Sequence, residues 1–257
     1  MNKEKVSVLM TVFNAENYLQ HSIQSIKDQS YSNWELIIVD DCSTDKSTKI
    51  LKKIKSKKIK VFFLKKKIGR TKALNYSLKK AKGKYLAVLD ADDVSYKNRL
   101  QEQVNYLKKN KDIYLIGSWY LKIDKNNKVL EKVKTITDIE KIKQIMIYKN
   151  IFAHSSVMFN KKVLKSIGVY PTKFVYMQDY GFILKVMTKF KISLIPKILT
   201  KSRIIRSSMT FNISPKQINH EREIILFFTW LNFKKNIFTS YFWIIEYIKV
   251  SLKKIIF

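Results

Sequence analysis

The sequence predicts an α/β fold, a mostly parallel central sheet flanked by helices with its ligand crevice at the carboxyl ends of the strands. Two observations lead there. Over the first hundred residues, short apolar and β-branched runs alternate with segments of helical periodicity in the order β-α-β-α-β-α-β, and strands buried on both faces of a parallel sheet read as such uninterrupted runs. In addition, Thr11, Asp40, Asp41, Asp90 and Asp92 all stand where a predicted strand ends, the edge at which this architecture binds ligands.

The elements follow in order. Val6-Ser7-Val8-Leu9-Met10-Thr11-Val12 is the first strand, and a helix from about Glu16 places Leu19, Ile23 and Ile26 on one face. Trp34-Glu35-Leu36-Ile37-Ile38-Val39 forms the second strand, ending in Asp40-Asp41. Ser43, Thr44 and Asp45 are suitable N-caps for a helix carrying Ile50, Leu51 and Ile54. Ile59 opens a third strand through Leu64, and Gly69 breaks the chain before a helix with Ala73, Leu74, Leu78 and Ala81. Gly83 leads into the fourth strand and Asp90-Ala91-Asp92-Asp93. Residues 112–148 read as short strands followed by a helix with Ile139, Ile142 and Met146, and a further helix runs from about Asp179 to Lys189.

The acidic run after the fourth strand carries the most chemistry. In an extended segment residues i and i+2 point the same way, so Asp90 and Asp92 can face one ligand while Ala91 turns into the fold. Adjacent carboxylates repel unless a cation compensates them, and all-oxygen ligation suits Mg²⁺ or Mn²⁺. A solvated acidic turn is the alternative for an isolated Asp-x-Asp. The gathering of several polar groups on one sheet edge favours the ligand reading.

Val6 to Ala15, Glu35 to Asp45, Lys72-Ala73-Leu74-Asn75 and Asp90-Ala91-Asp92-Asp93 together resemble the nucleotide-binding half of the family 2 glycosyltransferases, densely over residues 4–100. A looser likeness continues to about residue 210 through Asn150 to Phe159 and Met177-Gln178-Asp179-Tyr180. The resemblance implies a GT-A fold and transfer of a sugar from a nucleotide donor to an acceptor hydroxyl, with inversion at the anomeric carbon. It implies a nucleotide-sugar site made by Thr11, Asp40, Asp41, Lys72, Asp90 and Asp92, with Asp41 positioned to accept from uracil N3–H, which points to a UDP-sugar. It also implies a metal held by Asp92, with Asp93 substituting or assisting, and Asp179 as the general base. Where the family more often has a Glu-Asp pair this chain has Gln178-Asp179, and His154 matches an acceptor-side segment. An acidic helix N-terminus is the non-catalytic reading of Asp179, and a structural hydrogen-bonding residue that of His154. Arg203 to Ser208 resembles the segment that closes over the donor phosphates, where a histidine is frequent in the family; Ile205 or Arg206 stands there instead.

Composition bounds the rest. A chain of 257 residues, 46% hydrophobic, can bury a substantial core. A catalytic domain over 1–212, with a nucleotide half over 1–110 and an acceptor half over 111–212, is expected to precede an amphipathic helical extension over 213–257. The net charge of +31, from 51 basic and 20 acidic residues, favours polyanions, either an anionic membrane face or nucleic acid. The lysines are dispersed rather than gathered into one nucleic-acid motif. In the extension, aromatic runs with Lys234, Lys235, Lys249, Lys253 and Lys254 suit helices in a membrane interface, or else packing helices of the fold or a dimer interface, and neither run reaches the roughly 20 residues of a bilayer span. The first apolar run reads as a strand rather than a signal peptide, and the single Cys42 cannot form an intrachain disulfide. The expected setting is cytoplasmic, on the inner face of the membrane where lipid-linked glycan acceptors are displayed. A sugar nucleotidyltransferase competes less well, because no glycine-rich basic loop follows the first strand. A non-catalytic polyanion-binding protein would leave the acidic strand ends unexplained.

Overall fold

The computed structural model describes residues 4–146, 149–174 and 176–205. Arg206, the boundary at residue 212 and the expected extension over 213–257 lie outside them. The first half follows the predicted alternation: β1 (Val6–Val12), α1 (Leu19–Lys27), β2 (Trp34–Asp40), α2 (Ser47–Lys52), β3 (Ile59–Phe63), α3 (Arg70–Lys80) and β4 (Tyr85–Val88). β1 pairs in parallel with both β2 and β4, and β2 pairs in parallel with β3. The register sets Thr11 opposite Val39 and Val12 opposite Asp40, so the polar strand ends share one edge.

The second half makes the sheet mixed. After β5 (Val94–Ser95) and α4 (Arg99–Lys109) come β6 (Ile113–Ile123), β7 (Val129–Val133), α5 (Ile139–Ile145), a 3₁₀ turn at His154–Ser156, β8 (Met158–Asn160), α6 (Val163–Ile167), α7 (Gln178–Met187) and β9 (Lys191–Arg203). Strand order is β3-β2-β1-β4-β8-β6-β9-β5, with β7 on β6. β8 runs antiparallel to β4 and β6, while β9 is parallel to β6. The short strands expected between 112 and 138 are thus one 11-residue strand and a hairpin partner.

The sheet separates two cores, as the alternation of side chains along a strand requires. Leu9, Ile37 and Leu86 face a cluster with Leu74 and Leu78 of α3, Ile142 of α5, Val163 of α6 and Phe182 of α7. Val8, Met10, Leu36, Ile38 and Ala87 face Leu19, Ile23 and Ile26 of α1, Leu51 of α2 and Leu100 and Val104 of α4.

Two local departures have clear causes. The first helix starts at Leu19 rather than near Glu16, because Ala15 and Glu16 donate their N–H groups to Ser47 Oγ and Asp45 Oδ2 at 2.9 Å each. Of the residues expected to cap α2, Asp45 accepts from Ser47 N–H at 2.9 Å, while the other two lace the helix to that loop: Ser43 Oγ accepts from Asn14 N–H, and Thr44 N–H donates to the Asn14 side chain.

At the opposite end of β1, Ser7 Oγ donates to Glu35 at 2.7 Å and accepts from Gly83 N–H at 2.8 Å. Gly83 is required there, since a Cβ would stand 2.5 Å from Ser7 N. Burial alone would raise the Glu35 carboxyl, but hydrogen bonds from Ser7, Lys82 N–H and Lys60, with the charge of Lys5, bring it from 4.5 down to about 2. A depressed carboxyl contributes stability that is complete above its unfolded value and is lost as pH falls through the folded one. Glu35→Gln is therefore expected to unfold about 2–4 °C lower at neutral pH. Its melting temperature should also fall less steeply than that of the parent between pH 4.5 and 2, measurable by thermal scans across that range.

Candidate active site

A cleft of about 1420 Å³ opens at the carboxyl ends of β1, β2 and β4 and the end of β9. Thr11, Asp41, Asp90, Asp92 and Asp93 line it together with Phe13, Lys67, Arg70, Tyr176 and Arg203. The acidic run does not continue the strand in extended form. It turns, with Asp93 N–H donating to Asp90 O at 3.2 Å, and Ala91 is buried beneath it.

The three carboxylates of that turn have different surroundings. Arg70 Nη2 lies 2.7 Å from both oxygens of Asp90. Burial would raise the Asp90 carboxyl, but the Arg70 charge holds it well below the usual carboxylate range. Arg70 in turn is raised by Asp90 and, more weakly, by Asp179 and Asp92. Asp93 is almost fully buried and accepts from Arg203 N–H at 2.7 Å; burial and then its acidic neighbours push it well up. Asp92 receives no hydrogen bond from another side chain among the described residues, and burial and the Asp90 charge raise it.

Arg203 ties this turn to the far side of the cleft. Its Nε donates to Asp92 O at 2.8 Å, its Nη1 to Asp124 O at 2.7 Å and its Nη2 to Asn127 Oδ1 at 2.7 Å. The guanidinium also lies over the Tyr18 ring, 4.4 Å from its centre. From below, Arg99 is fully buried and donates to the carbonyls of Val88 and Val157, pinning the end of β4. Burial lowers its pKa to about 9, against the opposing charge of Asp93.

A polar chain leads from Asp90 toward α7. His154 Nδ1 is 3.2 Å from Arg70 Nη2 and its Nε2 is 3.3 Å from Tyr170 Oη. Since the guanidinium only donates, Nδ1 accepts and the ring hydrogen sits on Nε2, facing the tyrosine. At 3.7 Å, His154 Nδ1 lies too far from Asp90 Oδ1 for a hydrogen bond. Asn75 clasps the Tyr170 backbone, donating to its carbonyl and accepting from its N–H.

The remaining expected site residues divide clearly. Asp41 accepts from Ile68 and Gly69 N–H at 2.7 and 2.8 Å while lining the cleft. Asp40 is outside the lining; it accepts from Ser43 and Thr48 and organises the turn into α2. Lys72 is exposed on α3, also outside the lining. Asp179 is the second residue of α7, outside the cleft lining, and Asn150 donates to its Oδ2 at 3.2 Å. Gln178 is buried, with Oε1 lacking a partner among the described residues. Among those residues no three His, Cys, Asp or Glu side chains gather into a metal-binding set.

The family model described as glycosyl transferase family 2 matches residues 7–168. The chain belongs to that family. An uncharacterised glycosyltransferase of Methanocaldococcus jannaschii is 32% identical over 95% of this chain and 85% of its own length. An Escherichia coli family relative, the UDP-Glc:alpha-D-GlcNAc-diphosphoundecaprenol beta-1,3-glucosyltransferase WfgD, is 28% identical over 99% of this chain and 96% of its own. Among solved structures, Staphylococcus aureus TarS 1-349 in complex with UDP-GlcNAc superposes with a TM-score of 0.70 at 22% identity, over 86% of this chain and 66% of that one. The mannosyltransferase PcManGT of Pyrobaculum calidifontis, in complex with GDP-Man and Mn²⁺, gives 0.65 at 15%, over 88% and 64%. This chain spans less than two thirds of those solved chains, and the likeness establishes a GT-A fold.

Sequence reasoning did not single out Arg70 or Tyr170, and it named Arg203 only as the start of a segment. For the arginines a signal existed: arginine occupies five positions among 51 basic residues, and all three described ones make multiple hydrogen bonds through a planar fork that lysine lacks. Arg203→Lys is accordingly expected to lose most of its bonds to the two loops and cost roughly 2–3 kcal/mol of stability, read as a lower urea midpoint.

Proposed function

We propose that this family 2 member transfers a sugar from a UDP-sugar donor, with inversion, to a hydroxyl of a lipid-linked glycan during surface polysaccharide synthesis. The observation that carries this reading is the convergence of Asp41, Asp90, Asp92 and Arg70 on one cleft at the carboxyl ends of parallel strands. The TarS complex with UDP-GlcNAc and the diphosphoundecaprenol acceptor in the name of WfgD support the donor and acceptor classes.

In this mechanism Asp41, already oriented by two backbone N–H groups, accepts from uracil N3–H and disfavours cytosine, which has no such donor. Thr11 holds the nucleoside and Asp90 the ribose. Arg70 and Lys67 supply fixed positive charge within the cleft, the role the sequence suggested for Lys72. Asp92 would hold a Mn²⁺ or Mg²⁺ ion, which when bound would supply positive charge against that of the departing diphosphate. Such ions need one or two protein carboxylates when phosphates and water complete the shell, so Asp92 fits the requirement. Asp93 is committed to Arg203 N–H and supports Asp92 rather than replacing it.

Asp179, held by Asn150 and within the field of Arg70, takes the proton of the acceptor hydroxyl. That oxygen attacks the anomeric carbon opposite the diphosphate, the carbon–oxygen bond to the diphosphate breaks, and its electron pair leaves with the phosphate. His154 and Tyr170 keep Arg70 in register with Asp90.

Asp179→Asn is expected to lower kcat by about 10²–10⁴-fold while leaving the UDP dissociation constant nearly unchanged. Asp92→Ala should instead weaken UDP binding in the presence of Mn²⁺. Radiolabelled sugar transfer to a polyprenyl-diphosphate acceptor, paired with calorimetry, reads both; full turnover by Asp179→Asn would remove the base assignment.

A further inference from the structure

The β6–β7 hairpin carries features that sugar transfer does not use. Among the described residues five large hydrophobic side chains are exposed, and two are neighbours here: Val129 at 44% and Leu130 at 56%. The surrounding segment holds Lys122, Lys125, Lys128, Lys132 and Lys134 against Asp124 and Glu131. Asp124 is turned into the loop, its Oδ1 accepting from the N–H groups of Asn126 and Lys128, and Glu131 pairs with Lys122 at 2.7 Å. Lys125, Lys128 and Lys132 are exposed and have no acidic partner among the described residues.

We propose that this hairpin docks on an anionic lipid surface, with Val129 and Leu130 entering the interface and the three lysines meeting the headgroups. Lysines alone would have a simpler explanation, since an edge strand such as β7 is commonly protected from pairing by charge. That explanation does not cover an exposed Val-Leu pair, which protection would replace with polar residues. A nucleic acid would engage the lysines and leave the apolar pair in water. Pairing of β7 with the same strand of a second copy would bring its lysine-rich edge against itself. A lipid leaflet matches both features at once, because apolar side chains sink below the headgroups while lysines stay at the anionic plane.

The hairpin is also placed to matter. Asp124 and Lys125 line the cleft, and Arg203 bonds the turn at Asp124 and Asn127 to the carbonyl of Asp92. Docking would therefore set the mouth of the cleft against the leaflet, the approach a lipid-linked acceptor needs. That consequence rests on the proposed function; the docking itself does not.

The test uses the full chain with Cys42→Ser and Leu130→Cys, the new thiol labelled with an environment-sensitive fluorophore. Vesicles of phosphatidylglycerol and phosphatidylcholine, without glycan acceptor or nucleotide sugar, are compared with phosphatidylcholine alone. The account expects a blue shift and quenching by brominated acyl chains with anionic vesicles only. It also expects Lys128→Glu/Lys132→Glu in the unlabelled chain to weaken partitioning by about tenfold or more with an unchanged melting temperature. Co-sedimentation with anionic vesicles while the label stays in water would overturn the proposal by locating the contact elsewhere in the chain. A blue shift that grows with protein concentration in the absence of lipid would overturn it in favour of a second copy. Because no sugar chemistry enters the assay, failure of the transferase reading would leave its outcome unchanged.

Discussion

The crowding of Asp90, Asp92 and Asp93 into one turn is the constraint around which the site is organised. Like charges so close and so little hydrated raise one another's proton affinity, and the fold answers each carboxylate differently. Asp90 receives the Arg70 guanidinium, and Asp93 is buried against the Arg203 N–H. Asp92 is left facing the cleft, desolvated and beside a charged neighbour. That asymmetry leaves one carboxylate of the three without a side-chain partner among the described residues, the one assigned to the proposed cation, while the others are already engaged by the protein.

The same division explains why the site spans the molecule. Arg203 reaches Asp93 and Asp92 from 110 and 111 positions away, and it can do so because β9 lies parallel to β6 and carries its end to the cleft. Arg99 fixes the turn from the opposite core through the carbonyls of Val88 and Val157. The mixed second half of the sheet thus serves the parallel first half: Arg70 of α3 supplies the paired cation from within that first half, and Arg203 of β9 fixes the backbone of the acidic turn.

What the sequence revealed follows from how local each signal is. β1, β2 and β4 were legible as apolar runs, and their polar ends lie on the edge of the sheet where the cleft opens. Within that edge, neighbours could not be told apart. Asp40 and Asp41 differ by one residue, yet Asp40 is spent on the turn into α2 and Asp41 lines the cleft. Two residues on a helix point to nearly opposite sides, so Arg70 faces Asp90 while Lys72 faces solvent. β5 and β8, of two and three residues, exist through pairing with distant strands and leave no periodic pattern to read. The clasp of Asn75 on Tyr170, 95 positions apart, was hidden for the same reason.

The central claim is that the cleft at the carboxyl ends of β1, β2 and β4 is a uridine-nucleotide site completed by a divalent cation. Calorimetric titration of the full chain with UDP, GDP and dTDP, each with Mn²⁺ and again with chelator, tests it most directly. The account predicts binding that favours UDP and weakens sharply on chelation. Demonstrably folded protein that binds none of the three, or that prefers GDP irrespective of metal, would contradict it.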